Sequence, residues 1–149
     1  MERYQPGYSS LNSLIEARIR EVNDALQLLK SLVARRFEEL TVYEKLAIRY
    51  LVIQLVEAAA GICVRLLLRV YGETAEGYPE CFTRLASKGV LPESLALRLA
   101  SAARLRNLLV HRYWDIDDEK VYESAKEGLG DFEGFIDAVR RFLERCGYE

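Results

Sequence analysis

The chain has 149 residues, of which 50% are hydrophobic, and it carries a formal net charge of −2 at pH 7. This length and apolar content suit one domain over residues 1–149, with a single packed core that needs neither a metal nor disulfides. The slight negative charge excludes the broad basic surface of most nonspecific nucleic-acid binders. Contact with phosphate would therefore have to come from a local cluster, and most of the cationic side chains are arginines.

The cysteines are odd in number and form no C-x-x-C pair, which argues against a disulfide framework and against a zinc site. We expect three free thiols, at Cys63, Cys81 and Cys146. The first residues, MERYQPGYSSLNS, lack the apolar segment of a secretory signal. We predict a cytoplasmic protein whose first 12 residues are extended or flexible.

The first two helices are predicted from capping signals and periodicity. Ser13 has the capping-box spacing to Glu16, and apolar residues then recur every three or four positions as far as Val33. A second capping box, Thr41 with Glu44, predicts the start of the next helix.

That second helix is apolar almost all round as far as Tyr71, as is typical of the central helix of a bundle or of one shared between subunits. Its apolar run, YLVIQLVEAAAGICVRLLLRVYG, is interrupted by Glu57, Arg65 and Arg69. A charge at the centre of a bilayer costs roughly 2.5–3.5 kcal/mol. We therefore predict a buried helix and no membrane span.

The second half of the chain continues the helical pattern. Glycines and a proline in YGETAEGYPE predict a loop, and a short helix over residues 81–87 ends at Gly89. Pro92 begins a long helix, Asp117 caps a further one, and Asp131, after two glycines, caps the last. No alternating β-branched run or Asn-Gly hairpin signal occurs. The sequence predicts an all-α antiparallel bundle of about five helices.

The stretch RLRNLLVHRYWDID ends the long helix and holds the only histidine of the chain, His111. At about 100° per residue, four polar side chains share one side of that helix: Arg106, Asn107, His111 and Tyr113. Three leucines share the other side: Leu105, Leu108 and Leu109. We predict that the leucines hold the helix on the bundle and that the polar side chains face outward.

These polar side chains suit chemistry at a phosphate. The planar guanidinium of Arg106 matches a phosphate, and Asn107 adds neutral donors. An imidazole such as that of His111 exchanges protons near neutral pH, and Tyr113 offers a hydroxyl. Such a set can cleave RNA by attack of a 2′-hydroxyl on the neighbouring phosphate, which needs a base, an acid and a charge stabiliser but neither metal nor cofactor.

This reaction takes up one proton and gives one back, yet each chain has a single imidazole. A twofold homodimer would supply the second. Three alanines extend the polar side with small side chains, so we hypothesise that this face meets its own copy: Ala96, Ala100 and Ala103. The spacing also allows ordinary roles, namely a hydrogen-bonded histidine, an arginine in an ion pair, and a packing pair of Tyr113 with Trp114.

The residues RNLLVHRY resemble the R-x-x-x-x-H-x-Y motif of the HEPN superfamily. The resemblance extends over residues 15–145. The stretch YLVIQLVEAAAGICVRLLL is similar to the second helix of the HepT-like branch, and YPECFTRLASKGVLPESLALRLASAARLRNLLVHRYWDID follows its order of short helix, glycine, proline, long helix and motif. The members of this branch are toxin partners of minimal nucleotidyltransferases.

The resemblance implies a homodimeric all-α toxin with metal-independent endoribonuclease activity, in which Arg106 and His111 of both copies line one cleft. It implies that Asn107 assists in orientation or phosphate contact and that Tyr113 completes the motif. It also implies that a nucleotidyltransferase antitoxin neutralises the toxin by attaching adenylate to Tyr113. The linked adenylate adds negative charge and bulk beside the arginine that meets RNA phosphate.

Four charged positions near the motif have more than one interpretation. Arg104 either widens the basic cleft or is a solvated side chain. Asp115 and Asp117 are favoured as caps of the next helix over metal ligands, because no third ligand is evident. Glu57 needs a partner within its apolar helix, and an ion pair with Arg106 or Arg104 is favoured over a catalytic role.

Two functions remain open from the sequence. One is a toxin ribonuclease, which the motif favours. The other is a non-catalytic helical module that binds a minimal nucleotidyltransferase, which the net acidity and the absence of a large basic field favour.

Overall fold

The computed structural model describes the backbone of residues 6–147 and the side chains of residues 11–147. Within these residues the chain forms five α-helices and one short 3₁₀ turn: α1 (Pro6–Val33), the turn (Phe37–Glu39), α2 (Val42–Tyr71), α3 (Tyr78–Ser87), α4 (Glu93–His111) and α5 (Asp118–Arg145). No strand occurs between residues 6 and 147. The predicted all-α bundle of about five helices is confirmed.

The central helix is α2, which packs against each of the other four helices. The Thr41 hydroxyl accepts from the Glu44 backbone N–H and the Glu44 carboxylate accepts from that of Thr41, so the predicted capping box is confirmed. The helix ends at Gly72, whose φ of 65° is a left-handed conformation that glycine adopts without strain. By length and composition α2 could cross a membrane, but 61% of its most apolar window is buried in the bundle. Packing against four helices accounts for the buried part of this composition.

The first helix begins earlier than predicted, at Pro6 rather than near Ser13. The expectation of an extended or flexible segment over the first 12 residues is therefore wrong for residues 6–12, while residues 1–5 lie outside the described residues. Leu11 is buried and continues the apolar stripe of α1 one turn upstream. Burial in the core therefore extends the helix past the local capping signal.

The last helix, α5, is continuous, where the sequence predicted two helices. Gly128 and Gly130 lie within it, and Asp131 caps no helix but accepts a hydrogen bond from Arg98 Nε at 2.8 Å. Each glycine costs about 1 kcal/mol relative to alanine in a helix interior. Nine side chains on one side of α5 are buried, and each large apolar one contributes about 1.5–3 kcal/mol. Burial along the whole helix outweighs the cost of the glycines.

The cysteines are free thiols, as predicted: Cys63 and Cys81 are buried and Cys146 is exposed. Burial raises the pKa of the Cys63 thiol above its ordinary value, which keeps it protonated. The two buried thiols act as small apolar side chains of the core.

One face of α2 carries large apolar side chains that the other described helices leave exposed. Five large side chains on it are 44–84% exposed, and we call them the α2 stripe: Tyr43, Leu46, Tyr50, Val64 and Leu68. At about 100° per residue they lie within about 60° of one another. The stripe is symmetric about Glu57, because Leu46 and Leu68 lie 11 residues to either side of it and Tyr50 and Val64 lie 7. Glu57 and the Arg18 side chain of α1, which lies against Gly61, divide the stripe into two apolar patches. Exposed apolar patches of this kind are typical of a contact with another protein surface.

Candidate functional site

The helix that carries the motif, α4, is rotated relative to its predicted orientation. Ala96, Ala100 and Ala103 are buried within the protomer, so the prediction that they face outward and meet a second copy is wrong. Of the three leucines predicted to hold the helix on the bundle, Leu109 is buried and Leu105 packs against the core, but Leu108 is 49% exposed. The small alanine side chains allow close packing of α4 on helices of its own chain.

Because of this rotation, Arg106 points toward the bundle. Its Nη2 donates to Glu57 Oε1 at 2.6 Å, and its Nη1 donates to Asn107 Oδ1 at 3.0 Å. The guanidinium carbon lies 5.2 Å from the ring centroid of Tyr78, which is a cation–π distance. The predicted ion pair between Glu57 and Arg106 is therefore present, and the side chain of Arg106 is only 18% exposed.

The neighbours of Arg106 fix its guanidinium, but not all of its N–H donors have a hydrogen-bond partner. Glu57 comes from α2, Tyr78 from α3 and Asn107 from α4, so the position of Arg106 depends on three helices. The Nε donor is buried and has no hydrogen-bond partner. Because Asn107 accepts from Arg106 through its oxygen, its amide nitrogen stays available as a donor. Because Nε is enclosed, the donors that remain for an anion are the second N–H of each terminal nitrogen of Arg106 and the Asn107 amide.

The other motif residue, His111, has no such surroundings. It is the last residue of α4 and is exposed, and among the described residues no hydrogen bond or ion pair involves it. Arg104 is likewise exposed and has no partner in the part of the chain that the structure describes. Five residues rotate a helix by about 140°, so Arg106 and His111 leave α4 in different directions. Arg106, Asn107 and Glu57 are brought together, and no direct bond joins His111 or Arg104 to them.

Tyr113 lies beyond the end of α4, in the connection to α5, so the helical projection that placed it beside Arg106 is wrong. Its ring and that of Trp114 make an edge-to-face contact, with centroids 5.3 Å apart and planes at 83°. Both side chains are exposed. The predicted packing pair of the two rings is present, and the Tyr113 hydroxyl is accessible.

The connection that carries Tyr113 is fixed to α2 by Arg49, a residue that sequence reasoning missed. Arg49 Nη1 donates to the Tyr113 carbonyl at 3.2 Å, and its Nε and Nη2 donate to the two Asp118 oxygens at 2.6 and 3.0 Å. The hydrogen bond with Asp118 raises the pKa of the Arg49 guanidinium. The available signal was a charged residue within an apolar helix, the same signal that drew attention to Glu57.

The acidic neighbours of the motif have structural roles. Asp117 caps α5 by accepting from the backbone N–H groups of Glu119 and Lys120 at 3.1 and 3.4 Å, as predicted. Asp115 lies 3.6 Å from Arg112 in an exposed ion pair. Among the described residues, no three His, Cys, Asp or Glu side chains are grouped so as to hold a metal ion.

The family model of the HepT-like ribonucleases matches residues 22–139, which include both helices of the Glu57–Arg106 pair and the whole motif. The chain belongs to the HepT-like ribonuclease family. The resemblance that the motif RNLLVHRY indicated is thereby confirmed.

Individual proteins show the same relationship. The chain is 26% identical over 132 residues to the tRNA nuclease HepT of Aphanizomenon flos-aquae, which covers 87% of this chain and 90% of that protein. Its fold is similar to that of YutE, a cytosolic protein of unknown function from Bacillus subtilis, with a TM-score of 0.81, 19% identity and coverage of 90% and 91% of the two chains. It is also similar to a tri-AMPylated Shewanella oneidensis HEPN toxin solved in complex with its MNT antitoxin, with a TM-score of 0.78, 20% identity and coverage of 86% and 97%. The chain therefore shares its fold with YutE and with a HEPN toxin.

Proposed function

We propose that this HepT-like protein is the toxin of a toxin–antitoxin pair and that it is an endoribonuclease which cleaves RNA through Arg106 and His111 without a metal ion. The observation that carries the proposal is the contrast within the motif: the guanidinium is fixed by three helices, whereas the imidazole is accessible at the surface. Family membership and the relative named as a tRNA nuclease support it.

In the proposed reaction an imidazole removes the proton of a ribose 2′-hydroxyl, whose oxygen attacks the adjacent phosphorus. The bond from phosphorus to the 5′-oxygen of the next nucleotide breaks, and that oxygen takes a proton from an imidazolium. The products are a 2′,3′-cyclic phosphate and a 5′-hydroxyl. Arg106 stabilises the charge on the phosphate oxygens, with the Asn107 amide beside it and Arg104 and Tyr113 supporting contacts to the RNA.

The test of this function is an RNA cleavage assay with the purified protein. We expect cleavage to persist in excess EDTA, because the proposed groups are all side chains of the protein, and we expect the fragments to end in 2′,3′-cyclic phosphate and 5′-hydroxyl. Fragments with 5′-phosphate ends, or activity that disappears with EDTA and returns with a divalent ion, would contradict the mechanism.

The second imidazole comes from a homodimer, and the α2 stripe is its proposed interface in place of the alanine face. A twofold axis at Glu57 sets α2 antiparallel to its copy, which matches Leu46 with Leu68 and Tyr50 with Val64 because the stripe is symmetric about that residue. Each Glu57 carries its own Arg106, so the carboxylates at the axis are each neutralised by an ion pair. Both copies of Arg106 then flank one seam.

The dimer is tested by a substitution that places a positive charge in the α2 stripe. We expect Leu46→Arg to produce a monomer in sedimentation velocity and to reduce RNA cleavage. The matched control is Leu28→Arg, because Leu28 is also an exposed leucine but lies on α1 outside the stripe. An unchanged sedimentation coefficient for Leu46→Arg, or an equal effect of both substitutions, would exclude this interface.

The proposed partner is a minimal nucleotidyltransferase antitoxin that attaches adenylate to Tyr113. The phenolic oxygen attacks the α-phosphorus of ATP, pyrophosphate leaves, and the phenol loses its proton. The exposed ring on a connection held by Arg49 suits an incoming active site, and the adenylylated Shewanella toxin supports the pairing. Mass spectrometry of Tyr113 after co-expression is the test, with Tyr113→Phe as the control.

YutE is described as cytosolic, and we propose the same compartment here.

The second candidate function is a non-catalytic module that binds the nucleotidyltransferase. It is favoured by the net charge of −2 and by the ion pair that already engages Arg106. If the protein binds the transferase but leaves RNA intact under conditions in which RNA cleavage by a control nuclease proceeds, this candidate replaces the first.

A further inference from the structure

Trp114 is the only tryptophan of the chain, and 69% of its surface is exposed. An indole carries a large apolar surface, and burying an aromatic side chain stabilises a fold. Here the fold leaves the ring outside the core, three residues after His111. The edge-to-face contact with Tyr113 occupies either the edge or one face of the indole, so at least one face is open.

The backbone around this ring is fixed, although the ring is exposed. Arg49 binds the Tyr113 carbonyl, and the Asp115 N–H donates to the Arg112 carbonyl in a tight turn. Ile116, two residues after Trp114, packs against the hydrophobic core. One short connection therefore directs an aliphatic side chain inward and an aromatic pair outward. An aromatic surface that is already ordered binds a ligand with a small entropy cost.

Two exposed cations flank the end of α4: Arg112, two residues before the ring, and Arg104, about two turns earlier on the helix. Arg112 makes only a surface pair with Asp115 at 3.6 Å, and such pairs contribute little because solvent competes for both charges. Arg104 is exposed and unpaired among the described residues. A planar apolar surface beside a few cations fits a ligand with a flat ring and a phosphate, such as an unpaired nucleotide. A base inside a duplex is stacked on its neighbours and cannot offer its face.

We propose that Trp114 is a nucleobase-binding residue, whose indole stacks on an unpaired base of the RNA bound at the His111 end of α4. This proposal rests on the proposed ribonuclease function and names its substrate class as single-stranded RNA. Affinity comes from stacking more than from charge. Phosphate contacts of Arg104 and Arg112, beside that of Arg106, contribute about −1.4 per protomer to the slope of log K against log salt.

The single tryptophan makes the test direct, because fluorescence excited beyond the absorption band of the nine tyrosines reports on Trp114 alone. The protein is expressed without a nucleotidyltransferase, so that Tyr113 carries no adenine. The probe is a single-stranded 2′-O-methyl oligoribonucleotide, which lacks the nucleophile for cleavage. We expect saturable quenching of the emission by this probe. The same sequence as a duplex, and polyphosphate of the same total charge, are expected to leave the emission unchanged.

The nuclease assay separates stacking from catalysis. We expect Trp114→Ala to raise KM for single-stranded RNA about 5- to 150-fold, the range measured for loss of one base-stacking contact, with little change in kcat. Trp114→Phe keeps an aromatic ring and is expected to retain most of the affinity. Leu28→Ala removes another exposed apolar side chain, on α1, and is expected to have no effect.

Equal quenching by the duplex or by polyphosphate overturns the proposal, as does binding of the oligoribonucleotide without quenching. A change of emission only on addition of a nucleotidyltransferase also overturns it, and assigns the ring to a protein contact. If the wild-type protein quenches with single-stranded RNA but cleaves none, the stacking site stands and the ribonuclease function fails.

Discussion

Arg106 and His111 stand five residues apart on α4 and have opposite surroundings. Arg106 contacts Glu57 of α2, Tyr78 of α3 and Asn107 of its own helix. His111 is exposed and contacts no hydrogen-bonding partner among the described residues. Their places along α4 explain the difference, because Arg106 lies where α2 and α3 reach it and His111 is the last residue of the helix.

This difference separates two tasks of a phosphate-cleaving site. A charge stabiliser is most effective when it is already oriented, because it then needs no reorganisation during the reaction. A proton-transfer group has to reach the substrate and is better left accessible. Substitutions of His111 should therefore change activity alone, whereas substitutions around Arg106 should change activity through the geometry of three helices.

The largest effect is expected for His111→Ala. Loss of a general acid or base reduces the rate by about 10²- to 10⁴-fold, while the exposed position predicts a change in the free energy of unfolding within about 0.5 kcal/mol. A cleavage assay and a thermal melt measure the two quantities. A large fall in melting temperature would show that His111 has a structural role and would remove the contrast with Arg106.

The next effect concerns the fixed guanidinium. Arg106→Lys keeps the charge but replaces the planar donor fork with a single ammonium, and we expect cleavage to fall by about 10²-fold. The matched control is Arg104→Lys, because Arg104 is an exposed arginine two residues away on the same helix. Equal losses for the two variants would mean that Arg104 also binds RNA through a fixed geometry. Arg104 would then belong to the basic cleft and would not be a merely solvated side chain.

Local signals in the sequence predicted those features that depend on a few neighbouring residues. The capping box of Thr41 and Glu44 and the cap at Asp117 are both present, because backbone N–H groups at a helix start need nearby acceptors. The signals at Ser13 and Asp131 were equally strong but lie inside helices. There, burial of an apolar face along the full helix outweighs a single cap.

The orientation of α4 could not be predicted in the same way. Its sequence offers a leucine side and an alanine side, and either can pack inward. The face that packs inward combines the alanines with buried leucines, namely Leu95, Leu99 and Leu109. This rotation exposes Leu108 and turns Arg106 toward Glu57. The pairing of Glu57 was predictable, because a carboxylate in an apolar helix needs a partner. Arg49 carried the same signal, but its partners lie 64 and 69 residues away.

A smaller effect is expected when the support of Arg106 is weakened. Glu57→Gln keeps an acceptor oxygen at the same position but removes its charge, which weakens the hydrogen bond by about 1 kcal/mol. We expect kcat to fall roughly fivefold with little change in KM, since Arg106 stays in place but is held less firmly. An increase in RNA affinity instead would show that Glu57 competes with phosphate for the guanidinium.

The smallest effect on activity is expected for Arg49→Lys, which loosens the connection behind His111. A lysine cannot bind both Asp118 oxygens and the Tyr113 carbonyl together, so we expect a loss of about 1 kcal/mol in the free energy of unfolding and a fall in Tm of roughly 3 °C. Arg140→Lys is the control, because the pair of Arg140 with Glu16 is about half exposed on both sides and contributes little. We expect the cleavage rate to fall only about two- to threefold, because His111 makes no hydrogen bond to Arg49, Asp118 or Tyr113 and can still transfer protons to bound RNA. A loss of activity as large as that of His111→Ala would mean that Arg49 of α2 positions the imidazole through the connection after α4. Both motif residues would then depend on contacts with α2.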